Sequence, residues 1–122
     1  MTDPRHDLGQ EGERLAAEHL ERLGYAILAR RHRTRFGELD LVAADDETIV
    51  FVEVKTRRAG GVTGVWDAIT ADKAAQVRRM AAAWLAQVAD RPRRRALRFD
   101  AVGVVLDAHG RLVRLDHLES AF

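Results

Sequence analysis

Gly37-Glu38-Leu39-Asp40-Leu41-Val42-Ala43 and Thr48-Ile49-Val50-Phe51-Val52-Glu53-Val54-Lys55-Thr56, separated by the polar turn Asp45-Asp46-Glu47, decide how this chain folds. The first stretch alternates acidic or small residues with apolar ones, the period-two signature of a strand with two unlike faces. The second is dense in β-branched and aromatic residues and reads as the central strand of a sheet. With Asp46-Glu47 as a two-residue turn, the antiparallel register sets Asp40 opposite Glu53 and Glu38 opposite Lys55. Opposed residues on a common face have Cβ atoms roughly 4.5 to 5.5 Å apart, whereas a slip of one residue sends Asp40 to the other side.

Working outward, Leu8, Leu15, Ala16, Leu20 and Leu23 recur at helical spacing over residues 7–23, with Gly24 at the C-cap position. Tyr25 to Leu28 begins a strand that runs out into the basic segment Arg30 to Arg35. Arg57 to Gly64 is expected to be a loop next to any site at the end of the preceding strand. A second helix starts around Thr70 to Asp72, carries Ala74, Val77, Ala81, Trp84, Leu85 and Val88 on its apolar face, and ends before Arg91-Pro92. Its polar stripe holds Lys73, Gln76 and Arg78 or Arg79. Leu97 to Leu106 and Arg111 to Leu118 are two more strands, joined by Asp107-Ala108-His109-Gly110. The order is α-β-β-β-α-β-β, an α/β fold with a mixed sheet of about five strands flanked by helices.

Length and composition bound the function. At 122 residues, with 47% apolar and 32% charged residues, the chain has the size and balance of a single globular domain spanning residues 1–122, disordered at most over Met1 to Arg5. Cysteine is absent, which removes disulfides, thiolate metal sites and cysteine nucleophiles. No apolar run approaches the roughly eighteen residues that a membrane span needs, and the N-terminus has no apolar signal region, so a cytoplasmic protein with no membrane partner is expected. The net charge is only +1, but arginine clusters at Arg30, Arg31, Arg33 and Arg35, at Arg57 and Arg58, at Arg78 and Arg79, and from Arg91 to Arg95. The lysines are Lys55 and Lys73.

Glu53 and Lys55, two apart, project from one face of the most apolar strand, where unpaired charge costs several kcal/mol per ion. Asp40 would join them. Two carboxylates this close repel unless a cation lies between them, and oxygen ligands without His or Cys favour a hard ion, Mg²⁺ or Mn²⁺. Asp40 and Glu53 are therefore the expected metal ligands, and Lys55 the group that orients water or offsets charge on phosphorus. Arg33, Arg35 and Arg57 are candidates for phosphate contacts. Asp100, after Arg98-Phe99, reads as a structural salt-bridge residue.

The segments Gly37 to Val42 and Phe51-Val52-Glu53-Val54-Lys55-Thr56-Arg57 resemble the degenerate PD-(D/E)xK nuclease signature. With Gly12-Glu13 and Ala16 on the first helix, and Arg98-Phe99-Asp100, the chain resembles the YraN-type family of endonuclease-like bacterial proteins along most of its length. The resemblance implies a restriction-endonuclease-like core, similar to archaeal Holliday-junction resolvases, with Asp40, Glu53 and Lys55 in the acid, acid and lysine positions. It implies a third carboxylate from Glu13, and a substrate-binding role for Gln76 like that of the helix-borne Gln in some related nucleases. Glu38 stands where the signature has proline; it removes no ligand and adds a charge able to pair with Lys55. The implied function is metal-dependent hydrolysis of phosphodiester bonds in DNA, including branched or structured DNA. The alternative is a non-catalytic nucleic-acid-binding protein that keeps the nuclease fold, and a buried ion network that only supports folding is the third reading. A junction-cutting form is expected to be a homodimer, because two symmetric nicks need two sites.

Overall fold

The structure is a computed structural model that describes residues 4–61 and 65–122. Helix α1 (Pro4–Arg22) leads into strands β1 (Ala26–Thr34), β2 (Gly37–Ala44) and β3 (Thr48–Arg58), followed by a 3₁₀ turn (Val65–Ala68). Helix α2 (Ala71–Gln87) and strands β4 (Ala96–Leu106) and β5 (Leu112–Leu118) complete the expected order. Part of the expected 57–64 loop, residues 62–64, and residues 1–3 of the expected N-terminal arm lie outside the described residues. The loop also begins later than the sequence suggests, because β3 continues through Arg57 and Arg58 in parallel register with Val105 and Leu106 of β4.

The five strands lie side by side in the order β1-β2-β3-β4-β5, with β3 and β4 parallel and the other pairs antiparallel. The parallel pair is joined by the α2 crossover, and a strand covered on both faces should be continuously apolar. Ile49, Val50, Phe51 and Val52 are all buried, as that requires. On one face α1 packs Ala16, Ala17 and Leu20 against Leu41, Ala43, Val50, Val52, Val102 and Val104. On the other, Val77, Met80, Ala81 and Trp84 of α2 pack against Val42, Ile49 and Phe51.

The helix ends follow their local chemistry. Gly24 takes φ +99°, and its N–H and that of Tyr25 donate to Glu21 O and Leu20 O at 3.0 Å each, the doubled closure that a left-handed residue permits. Thr70 caps α2, its hydroxyl accepting from the Lys73 N–H at 3.1 Å. The basic segment is part of a strand and not a run-out: β1 pairs with β2 as far as Thr34↔Gly37, with a bulge between Ile27 and Ala29. Within it Arg31 sits at φ +46°. Among the described residues no helix is long and apolar enough to cross a membrane.

Candidate active site

The β2–β3 ladder runs from Ala44↔Ile49 to Leu41↔Val52, the register that the two-residue turn predicts. Beyond Leu41 the strands stop pairing. Here the Asp40 carboxylate replaces a backbone partner: its Oδ2 accepts from the Val54 N–H at 2.7 Å. The two-residue alternation breaks at the same place. Leu41 and Ala43 join the α1 core, but Leu39 joins the α2 core together with Val42. Strict alternation over residues 37–43 would set Leu39 on the same face as Leu41; the strands part around Asp40, and Leu39 turns to the other face.

That gap lets side chains from several elements meet. Glu53, only 13% exposed, lies beside Asp40, and the charge of each bears on the other. Its Oε2 lies 3.3 Å from Lys73 Nζ, while its Oε1 is buried with no hydrogen-bond partner. Burial, and then the Asp40 charge, push Glu53 up to about 8, with Lys73 acting in the opposite sense. Burial raises Asp40 as well, against the pull of the Val54 N–H.

Lys55 stands two residues along β3 from Glu53. Its ammonium is held below the usual lysine range by burial and then by Arg57 and Lys73. Among the described residues it makes no hydrogen bond or ion pair, so the expected partner Glu38 is not its partner. Glu38 faces Arg33 at 3.8 Å instead, because the two are directly opposed across β1 and β2.

From the other face of the sheet, α1 brings Glu13. Its neighbour Gly12 touches β3 so closely that a Cβ there would overlap the Thr56 side chain. Glu13 pairs with Arg31 at 3.5 Å. Burial, then Asp40, push its carboxyl up to about 7. Gln76 does face the hairpin: its Nε2 donates to Phe36 O at 2.9 Å, and its Oε1 accepts from Lys73 Nζ at 3.3 Å. Gly37, at φ +133°, leaves the space that this amide occupies, since a Cβ would stand 2.8 Å from Gln76 Nε2.

Asp40, Glu53 and Lys55 thus share one end of the hairpin, with Glu13 and Gln76 bordering it. Arg33 and Arg35 lie towards the β1–β2 turn, where Arg35 covers the Phe36 ring at 4.7 Å. Arg57 turns back on its own strand, Nη1 donating to Thr56 O at 3.1 Å, with Nε buried and without a hydrogen-bond partner. Sequence reasoning placed Lys73 on the polar stripe of α2 but did not bring it to the site. Its one signal was rarity, a lysine in a chain whose basic residues are otherwise almost all arginine.

Among the described residues no three His, Asp or Glu side chains are gathered as a metal-holding group. The donor chemistry of the Asp40–Glu53 pair nevertheless fits a hard dication. Two crowded carboxyls with raised affinity for protons, one with an unused buried oxygen, are relieved by a cation shared between them. A cavity of about 90 Å³, lined by Glu53, Lys55, Lys73, Trp66, Ile69 and Phe122 among others, adjoins the Glu53 side of that pair.

Two helices on opposite faces of a five-stranded mixed sheet, with paired carboxylates where a central hairpin opens, define a restriction-endonuclease-like α/β core. Residues 12–104 match the model of the Uncharacterised protein family UPF0102, and the chain belongs to that family. It is 43% identical over 120 residues to a UPF0102 protein of Mycolicibacterium gilvum, covering 97% of this chain and 95% of the relative. A UPF0102 protein of Pelotomaculum thermopropionicum is 40% identical over 122 residues and is covered end to end. One from Nocardia farcinica is 46% identical over 115 residues, covering 94% of this chain and 88% of its own.

Proposed function

We propose that this protein is a metal-dependent nuclease that hydrolyses phosphodiester bonds in DNA, branched or structured DNA included, with Mg²⁺ or Mn²⁺ as its ion. The observation that carries the reading is the Asp40–Glu53 carboxyl pair, with its unpartnered buried oxygen, beside a lysine that feels both charges and makes no ion pair among the described residues. Asp40 and Glu53 would hold the ion, and Glu13 would add a carboxylate from α1. A bound dication supplies Lewis-acid polarisation of a phosphoryl oxygen and acidification of water.

The remaining work falls to the chain. The Val54 N–H fixes one oxygen of Asp40, so the carboxylate is oriented by backbone. Lys55, with its lowered proton affinity, orients the attacking water or offsets charge developing on phosphorus. Lys73 serves as counter-ion of Glu53 in the free protein and is aligned by Gln76. Arg33, near the end of β1, and Arg35, in the turn that follows it, supply phosphate contacts. A form that cuts both strands of a junction would act as a homodimer.

The test is cleavage of duplex, flap and four-way-junction DNA with Mg²⁺ or Mn²⁺. Wild type should cut at least one substrate, and Asp40→Asn and Lys55→Ala should each lower the rate by a factor of about a hundred or more. Cutting that survives both substitutions refutes the assignment.

The Lys73–Glu53 ion pair favours a second reading, a non-catalytic nucleic-acid-binding protein in which lysine already balances the acid. That form would show salt-sensitive DNA binding unchanged by chelator and by Asp40→Asn.

A further inference from the structure

Arg35, Phe36 and Arg79 form a second feature, displaced from the carboxyl pair. The Arg35 guanidinium lies 4.7 Å from the centre of the Phe36 ring, and that of Arg79 lies 6.0 Å from it. Among the described residues neither arginine has an acidic partner. They differ in this from Arg31, held by Glu13, and from Arg33, facing Glu38. The three side chains border a shallow groove of about 470 Å³ whose floor is Ala82, Ala83 and Ala86 of α2.

The groove is also connected to the carboxyl pair. The Phe36 carbonyl accepts from Gln76, Gln76 accepts from Lys73, and Lys73 pairs with Glu53. Two side chains, Gln76 and Lys73, therefore stand between a strand lying across Phe36 and Glu53.

We infer that this groove binds single-stranded nucleic acid, with a base against Phe36 and the alanine floor and the flanking phosphates on Arg35 and Arg79. Duplex DNA would use the two cations but leave the aromatic and alanine surface without a partner, since its bases are stacked inside. An unstacked base covers that surface, and stacking on an aromatic ring is tolerant of sequence. The inference deepens the nuclease reading by naming a single-stranded arm as the part of the substrate held outside the site. It holds equally for a protein that binds and does not cut.

The experiment measures binding of a fluorescent twelve-nucleotide oligothymidylate, and of a duplex of the same length, by anisotropy in EDTA across a salt series. Chelator separates binding from cleavage, so failure of the nuclease reading leaves this result standing. Wild type should prefer the single strand. Replacing both Arg35→Gln and Arg79→Gln should lower the slope of log K against log salt by about 1.4, and weaken binding roughly twentyfold at 0.1 M salt. Phe36→Leu, which keeps an apolar side chain where Phe36 packs against the α2 core, should weaken single-strand binding by about fivefold or more. Arg114→Gln, far along the sheet in an ion pair with Asp116 at 2.6 Å, should bind as wild type does. Equal affinity for duplex and single strand, or arginine and phenylalanine variants that bind like wild type, overturns the proposal.

Discussion

At Glu53 the fold and the proposed chemistry pull against each other. An acid whose proton affinity is raised on folding, here from an ordinary 4.5 to about 8, binds more protons folded than unfolded. Its contribution is fully favourable below its unfolded value and is lost as pH rises through the folded one. Glu13, raised to about 7, acts in the same direction. Stability should therefore fall between about pH 5 and pH 8. Glu53→Gln removes the larger part of that loss: its melting temperature should exceed that of wild type by roughly 5 °C at pH 8, with the gap closing near pH 5. A variant no more stable at pH 8 than wild type contradicts the crowding of carboxyls described above. Lys73→Met should do the opposite, lowering stability at pH 8 by about 1 to 2 kcal/mol in urea unfolding, since it leaves Glu53 without its cation.

At the scale of elements, α1 approaches β3 at Gly12 and Thr56 so closely that a Cβ on Gly12 would overlap the Thr56 side chain. Gly12→Ala should cost about 1 to 3 kcal/mol by denaturant unfolding, and adding Thr56→Ala should recover part of the loss. The main elements were legible because their signals are local. The Thr48–Thr56 strand is uniformly β-branched or aromatic, the two-residue turn sets the register, and Gly24 and Thr70 mark helix ends in single residues. What was not legible depends on departures from periodicity or on distance along the chain. Alternation alone put Leu39 with Leu41, and no pattern in residues 37–43 announces that Asp40 will capture the Val54 N–H. The continuation of β1 through the four basic positions Arg30 to Arg33 was hidden because an edge strand in water tolerates charge that a propensity reading takes as loop. Lys73 reaches Glu53 only through the α2 crossover, twenty residues later, which spacing cannot foresee.

Across the whole molecule, a polar network centred on Asp100, the β4 partner of Val52 and so one position along the sheet from Glu53's partner Ala101, fastens the sheet's last strands to α1. Asp100, fully buried, accepts from Arg98, from the Ser120 N–H at 3.0 Å, and bonds His117 Nε2 at 2.8 Å. His117 Nδ1 lies 3.0 Å from His19 Nε2 on α1, and Arg98 also donates to the Tyr25 hydroxyl at 2.9 Å. The sequence reading of Asp100 as a structural ion-pair residue is met in the Arg98 bridge; the histidines, 98 positions apart, carried no spacing to read. Asp100→Ala should cost about 3 to 5 kcal/mol by calorimetric unfolding, because Arg98 and His117 lose their shared acceptor.

The claim on which the account depends is that Asp40 and Glu53 take a divalent cation between them, and it is tested most directly by titrating Mn²⁺ into wild type and Asp40→Asn by isothermal calorimetry at pH 8. The account predicts saturable binding by wild type, with protons released as the carboxyls ionise, and loss of that binding in the variant. Heats that do not saturate with wild type, or a binding curve unchanged by Asp40→Asn, would contradict it.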